Sequence, residues 1–177
     1  MPHRVRLGHV TAVPAERCRE GEKMHYEELA AAGGTEFRSR RRTITETDAV
    51  TFTCMTGIMD PVFTDEIFAQ ENLFGGRVVP GPMIMTYAMG LTDDLGYSSV
   101  VAALGVEARF VAPVRPKDTI HVVSRVAEAR ESKSRPDAGI VTLAHDVRNQ
   151  DGTLVQQFSR TLLVLKKSAA ESQEVPS

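Results

Sequence analysis

This sequence predicts an α+β fold in which a curved antiparallel sheet wraps around one buried helix, and three observations predict it. From Met83 to Leu91 the only polar side-chain groups are the hydroxyls of Thr86 and Tyr87, so a helix there is apolar nearly all round and must be surrounded by protein. Beyond Gly96 the apolar period changes from 3.6 to 2, with Val106, Ala108 and Phe110 alternating with Glu107 and Arg109, and Ile120 and Val122 flanking His121. Asn149-Gln150-Asp151-Gly152 then reads as a hairpin turn, so the strands follow one another antiparallel and bring no second helical layer.

Taken in order, residues 1–25 mix charge, Pro14 and small side chains without a period and are expected to form an N-terminal extension. Thr35 to Ile44 reads as a strand. Thr45-Glu46-Thr47-Asp48 has the hydroxyls and carboxylates that suit a helix start, and the helix ends at Gly57. Asp60-Pro61 marks a turn, and a short helix is expected from about Thr64 to Gln70. Gly75-Gly76 leads to Pro80-Gly81-Pro82, where Gly81 suits an N-cap and Pro82 the first helical position. Asp93, Asp94 and Gly96 mark the exit of the apolar helix. The domain is expected over residues 26–167, with 168–177 a frayed tail.

The 177 residues make one domain of 19.4 kDa, and 21 Lys plus Arg against 23 Asp plus Glu leave a formal charge of −2. That balance argues against a nucleic-acid partner, which needs a concentrated surplus of cations. The one basic cluster, Arg38, Arg40, Arg41 and Arg42, reads as a solvated strand face or as a small phosphate-binding patch. Cys18 and Cys54 lack metal-ligand or disulfide spacing, and no run of about 18 apolar residues occurs. A cytoplasmic protein with no signal peptide, membrane span or metal is therefore expected. His145 shares the alternation of Val141 and Leu143 and is expected to point inward, while His121 is expected to face out.

Three stretches resemble the MaoC-like hydratases and dehydratases of the hotdog fold: Arg42 to Asp48 with Phe52, Thr56 to Glu66 with Phe68-Ala69, and Phe74 to Gly81. The resemblance covers roughly Tyr26 to Leu165. In that family the middle stretch is similar to G-D-x-N-P-x-H-x-D, whose Asp and His act on the water that adds to, or leaves from, a 2-enoyl thioester. Matched to this pattern, the Asp position is Ile58, the Asn position is Asp60 and the His position is Phe63. Neither Ile58 nor Phe63 can move a proton, and each lost group removes a contribution of roughly 10²- to 10⁴-fold.

The resemblance then leaves several readings open. Asp60 acts as the sole base, its pKa raised by burial beside Ile58, Met59 and Phe63; or it is only a turn carboxylate before Pro61. Alternatively the chain is a non-catalytic subunit of a heteromeric dehydratase, or a hotdog thioesterase that uses Asp60. The substrate-binding positions implied are Ile58, Phe63, Pro80, Gly81 and Met83, with the Gly81 amide at the helix start polarising the thioester carbonyl. The ligand implied is a 2-enoyl or 3-hydroxyacyl thioester; there is no separate cofactor, because coenzyme A or phosphopantetheine is part of the substrate. A homodimer, or a heteromer with a related hotdog subunit, is implied by a tunnel that lies between two protomers.

Overall fold

The computed structural model of the chain describes residues 24–93 and 99–173. Most of the expected extension lies outside the described residues, as do Cys18, Asp94, Gly96 and residues 174–177. The first described element is a helix that the residues did not suggest, α1 (Tyr26–Ala31), which buries Tyr26 and Leu29. Two short strands, β1 (Glu36–Arg38) and β2 (Arg42–Thr43), stand where one long strand was expected. The break has a local cause. Ser39 receives the Val122 N–H on its side-chain Oγ at 2.9 Å, so a hydroxyl takes the place of a backbone carbonyl and the ladder stops.

Helix α2 (Glu46–Thr56) begins and ends as its residues require. The Asp48 N–H donates to Thr45 Oγ1 at 3.1 Å and the Asp48 carboxylate accepts the Thr45 N–H at 2.8 Å, a reciprocal cap that satisfies two orphan donors. Gly57, at φ 73°, closes the far end in the left-handed region. The expected helix from Thr64 to Gln70 is instead two, α3 (Pro61–Thr64) and α4 (Glu66–Glu71). Asp65 divides them with an extended backbone, and its carboxylate accepts the N–H groups of Ile67 and Phe68.

The central helix, α5 (Gly81–Asp93), lies across a sheet built from β3 (Val100–Phe110), β4 (Thr119–Glu131), β5 (Ala138–Arg148) and β6 (Leu154–Leu165). The strand order is β1-β4-β5-β6-β3 with antiparallel pairing, and β2 adds to β4. Met83, Ile84, Ala88 and Leu91 bury one face of α5 against this sheet, each large side chain contributing roughly 1.5–3 kcal/mol. The opposite stripe, Pro82, Thr86 and Gly90, is exposed. The helix is thus covered on one side by its own chain, because a single curved sheet reaches only part of the way around it. The tail expected at 168–177 is helical over its first part, in α6 (Lys167–Gln173).

Beneath α5 the core falls into two apolar clusters. One gathers Val122, Val147 and Phe158 around Met83 and Ile84, and the other gathers Val126, Leu143 and Leu162 around Tyr26 and Leu29 of α1. Ser124, His145 and Arg160 lie between these sets on the same three strands, so a polar row crosses the concave face between the clusters.

Candidate functional site

A cavity of about 320 Å³ opens at the start of α5. Val62 and Phe63 of α3 form one wall and Phe74, Val78 and Val79 of the following loop another. Gly81 and Ile84 of α5, the segment from Phe110 to Val114 after β3, and Val155 and Gln156 of β6 complete it. Its volume is within the range of small-ligand sites, and its lining is apolar apart from the backbone at Gly81 and the side chain of Gln156.

Each of these walls has a physical reason for its place. The Phe74-to-Gly81 loop is held by Arg115, whose guanidinium donates to the carbonyls of Phe74 and Arg77. Arg77 in turn pairs with Glu46 at 2.6 Å and Glu66 at 3.0 Å, tying α2 and α4 to the loop. Phe110, at the end of the edge strand, lies so close over Gly81 that a Cβ there would stand 2.5 Å from its ring. Only glycine admits that approach. The amides of the first turn of α5 have few intrahelical acceptors, and those of Met83 and Ile84 turn back to Pro80.

The residues singled out from the sequence divide around this cavity. Phe63 and Gly81 line it, and Pro80 is buried beside Gly81. Met83 is fully buried in the cluster beneath α5, and Ile58 is half-buried; neither belongs to the cavity lining. Asp60 is exposed at the N-cap of α3, where its carbonyl accepts the Phe63 N–H at 2.9 Å and its carboxylate makes no capping bond. The burial expected beside Ile58, Met59 and Phe63 is absent in the single chain.

The histidines do not replace the missing pair. His145 is 1% exposed and stacks on Phe158 at 4.4 Å. Burial, then the positive charges of Arg160 and Arg125, push its pKa down to about 3, so it is neutral. The Arg160 Nε–H donates to His145 Nε2 at 3.3 Å, which leaves Nδ1 to carry the proton and donate to Ser124 Oγ at 2.8 Å. Ser124 is therefore an acceptor and not an activated nucleophile. Arg160 also donates to Thr92 Oγ1 at 2.8 Å, which anchors the far end of α5. His121, expected to face out, is 6% exposed. Burial lowers its pKa, aided by the cations Arg38, Arg41 and Arg148, which surround the strand position that simple alternation assigned to solvent.

The basic cluster forms a second hollow. Arg40, Arg41 and Arg42 border about 440 Å³ together with Thr86, Tyr87 and Gly90 on the open side of α5. Arg42 lies 4.0 Å over the Tyr87 ring and pairs with Asp48 at 3.1 Å, so its charge is engaged within the fold. Burial tends to raise the Asp48 pKa, but the Thr45 hydroxyl and amide, the Tyr87 hydroxyl and Arg42 together bring it down to about 2. Among the described residues no three His, Cys, Asp or Glu side chains are placed to hold a metal, and no helix is long and apolar enough to cross a membrane.

Sequence reasoning missed Gln156. It is 1% exposed in the cavity wall, and neither its Oε1 nor its Nε2 has a hydrogen-bond partner. Its neighbour Gln157 is a surface-strand glutamine bonded to Asp146 at 2.9 Å, and nothing in the Gln-Gln pair distinguishes the two.

This geometry has known counterparts. The chain is 41% identical over 101 residues to protein MaoC of Klebsiella aerogenes, which covers 56% of this chain and 30% of the relative. It is 26% identical over 157 residues to a mesaconyl-CoA hydratase of Haloarcula marismortui, covering 88% of this chain and 44% of that protein. The chain therefore spans less than half the length of either relative. Among solved structures, a MaoC-like dehydratase from Rhodospirillum rubrum superposes with a TM-score of 0.73 at 31% identity, covering 81% of this chain and 98% of that one. The fold is the hotdog fold that the three sequence stretches implied. The family described as MaoC like domain matches residues 28–149, and the chain belongs to it.

Proposed function

We propose that the chain binds a 2-enoyl or 3-hydroxyacyl thioester of coenzyme A or of a phosphopantetheine carrier, with its acyl group in the cavity at the start of α5. The observation that carries this reading is the cavity itself, apolar along Phe63, Val79 and Phe110 and bounded by the N-terminus of a 13-residue helix at Gly81. Orphan amides and the positive end of the helix macrodipole favour a polarised carbonyl oxygen there. Pro82 lacks an N–H and the Met83 and Ile84 amides are taken by the Pro80 carbonyl, so the site relies on the Gly81 amide. The mesaconyl-CoA hydratase relative supports a thioester as the ligand class.

By family resemblance Ile58 and Phe63 occupy the acid/base positions, and Asp60 is exposed outside the cavity lining. Our reading is that the isolated chain binds without hydrating, and that a related subunit bearing the Asp/His pair supplies the chemistry. The edge strand β3 favours this arrangement: no strand among the described residues pairs with its outer edge, and Val101, Leu104, Val106 and Phe110 are 43–58% exposed. Pairing of two such edges would place a partner beside Phe110 and the cavity, so sizing at micromolar concentration should show a dimer.

The test uses a panel of acyl-CoA and 2-enoyl-CoA thioesters. Thermal stabilisation by the panel with no turnover, followed by hydration once a homologue retaining Asp and His is co-purified, is the expected result. Hydration or thioester hydrolysis by the chain alone that disappears in Asp60→Asn would assign the catalysis to Asp60 instead. Absence of any stabilisation would remove the thioester reading.

A further inference from the structure

We propose that Gln156 is the residue that reads the acyl group, and that the cavity selects a thioester whose acyl chain carries a hydroxyl. The inference rests on reading the cavity as an acyl-thioester site. Gln156 stands on β6 opposite Phe110, the residue whose ring lies over Gly81. The side chain and the helix start therefore belong to one cavity, with a polar group at each.

Among the described residues the only buried side-chain nitrogen or oxygen atoms without a partner are His121 Nε2 and the two of Gln156. An unpaired carboxamide in an apolar wall destabilises the fold, and leucine would fill the same space without that cost. A ligand that completes its hydrogen bonds removes the penalty on binding.

The chemistry of the amide narrows the ligand. Oε1 accepts and Nε2 donates, so the complementary group must both donate and accept. A hydroxyl does both. A ketone or carboxylate satisfies only the N–H, and a methylene or alkene satisfies neither. With the thioester carbonyl at the Gly81 amide, the hydroxyl lies along the acyl chain where Gln156 meets it.

The experiment measures the affinity of non-hydrolysable analogues of butyryl-, 3-oxobutyryl- and 3-hydroxybutyryl-CoA, in which a methylene replaces the thioester sulfur and the carbonyl is kept, by calorimetry, alongside melting temperatures. The full chain should bind the hydroxy analogue about tenfold more tightly than the saturated one. Gln156→Leu should bind all three alike and melt at a higher temperature than the parent, and Gln156→Met serves as a second apolar variant of similar size. The inference is overturned if the parent shows no hydroxyl preference, if the variants retain it, or if both variants melt lower, which would mark Gln156 as a structural residue. If no analogue binds the parent, the acyl-thioester reading itself has failed and the inference fails with it. Binding of all three without preference removes the role of Gln156 alone.

Discussion

Arg160 and Gln156 sit four residues apart on the same face of β6, with Phe158 between them, yet their polar groups are treated in opposite ways. Around Arg160 the hydrogen bonds connect: the guanidinium reaches His145 and Thr92, and His145 reaches Ser124. Around Gln156 they stop at the cavity wall. A buried polar network that is fully paired holds α5 to the sheet and fixes its register, whereas a buried amide left unpaired beside an open volume stores binding capacity at a cost in stability. The contrast separates what holds this fold together from what the fold presents to a ligand.

The largest expected effect lies in the pH dependence of the paired region. His145 has its folded pKa depressed from 6.5 to about 3, so the unfolded chain binds a proton that the folded chain refuses. Its stabilisation is fully present above pH 6.5 and is lost as pH falls towards 3, at up to about 1.4 kcal/mol per pH unit. Urea unfolding between pH 7 and 4.5 should show that slope, and His145→Gln should flatten it; a parental slope unchanged in the variant would break the assignment. Arg160→Met leaves His145 and Thr92 without their donor and should destabilise by about 3 kcal/mol in the same assay. Ser124→Ala removes only the acceptor of the His145 Nδ1–H and should cost about 2 kcal/mol. At the other end Gln156→Leu should stabilise by about 1 kcal/mol, the opposite sign from any change in the Arg160 network. A destabilising Gln156→Leu would erase the distinction between the two regions.

Much of the scaffold was legible in the order of residues. Thr45 with Asp48 marked the start of α2, Gly57 its end, Gly81-Pro82 the start of α5, and Asp151-Gly152 the last hairpin, where Gly152 takes φ 78°. These signals act within one turn of chain, so their physics is complete in a few residues. The breaks at Ser39 and Asp65 were not legible, because each depends on a side-chain oxygen choosing one acceptor role among several. At the site, the Phe74-to-Gly81 stretch was found because its glycines and prolines are unusual in type. Gln156 was not, since a strand glutamine beside another strand glutamine carries no local mark of which one faces a cavity.

The order of residues by itself determined the antiparallel sheet packed on one helix, the position of that buried helix and the presence of Ile58, Asp60 and Phe63 in the segment where family resemblance places catalysis. Periodicity, capping and turn chemistry are local or repeat along the chain, so they survive being read in one dimension. Only the tertiary structure decided that Asp60 lies outside the cavity, that Met83 serves the core, that one stripe of α5 is open, and that His121 is buried while Gln156 stands unpaired. Each of these depends on what a side chain meets across the sheet, and that neighbour comes from a strand tens of residues away.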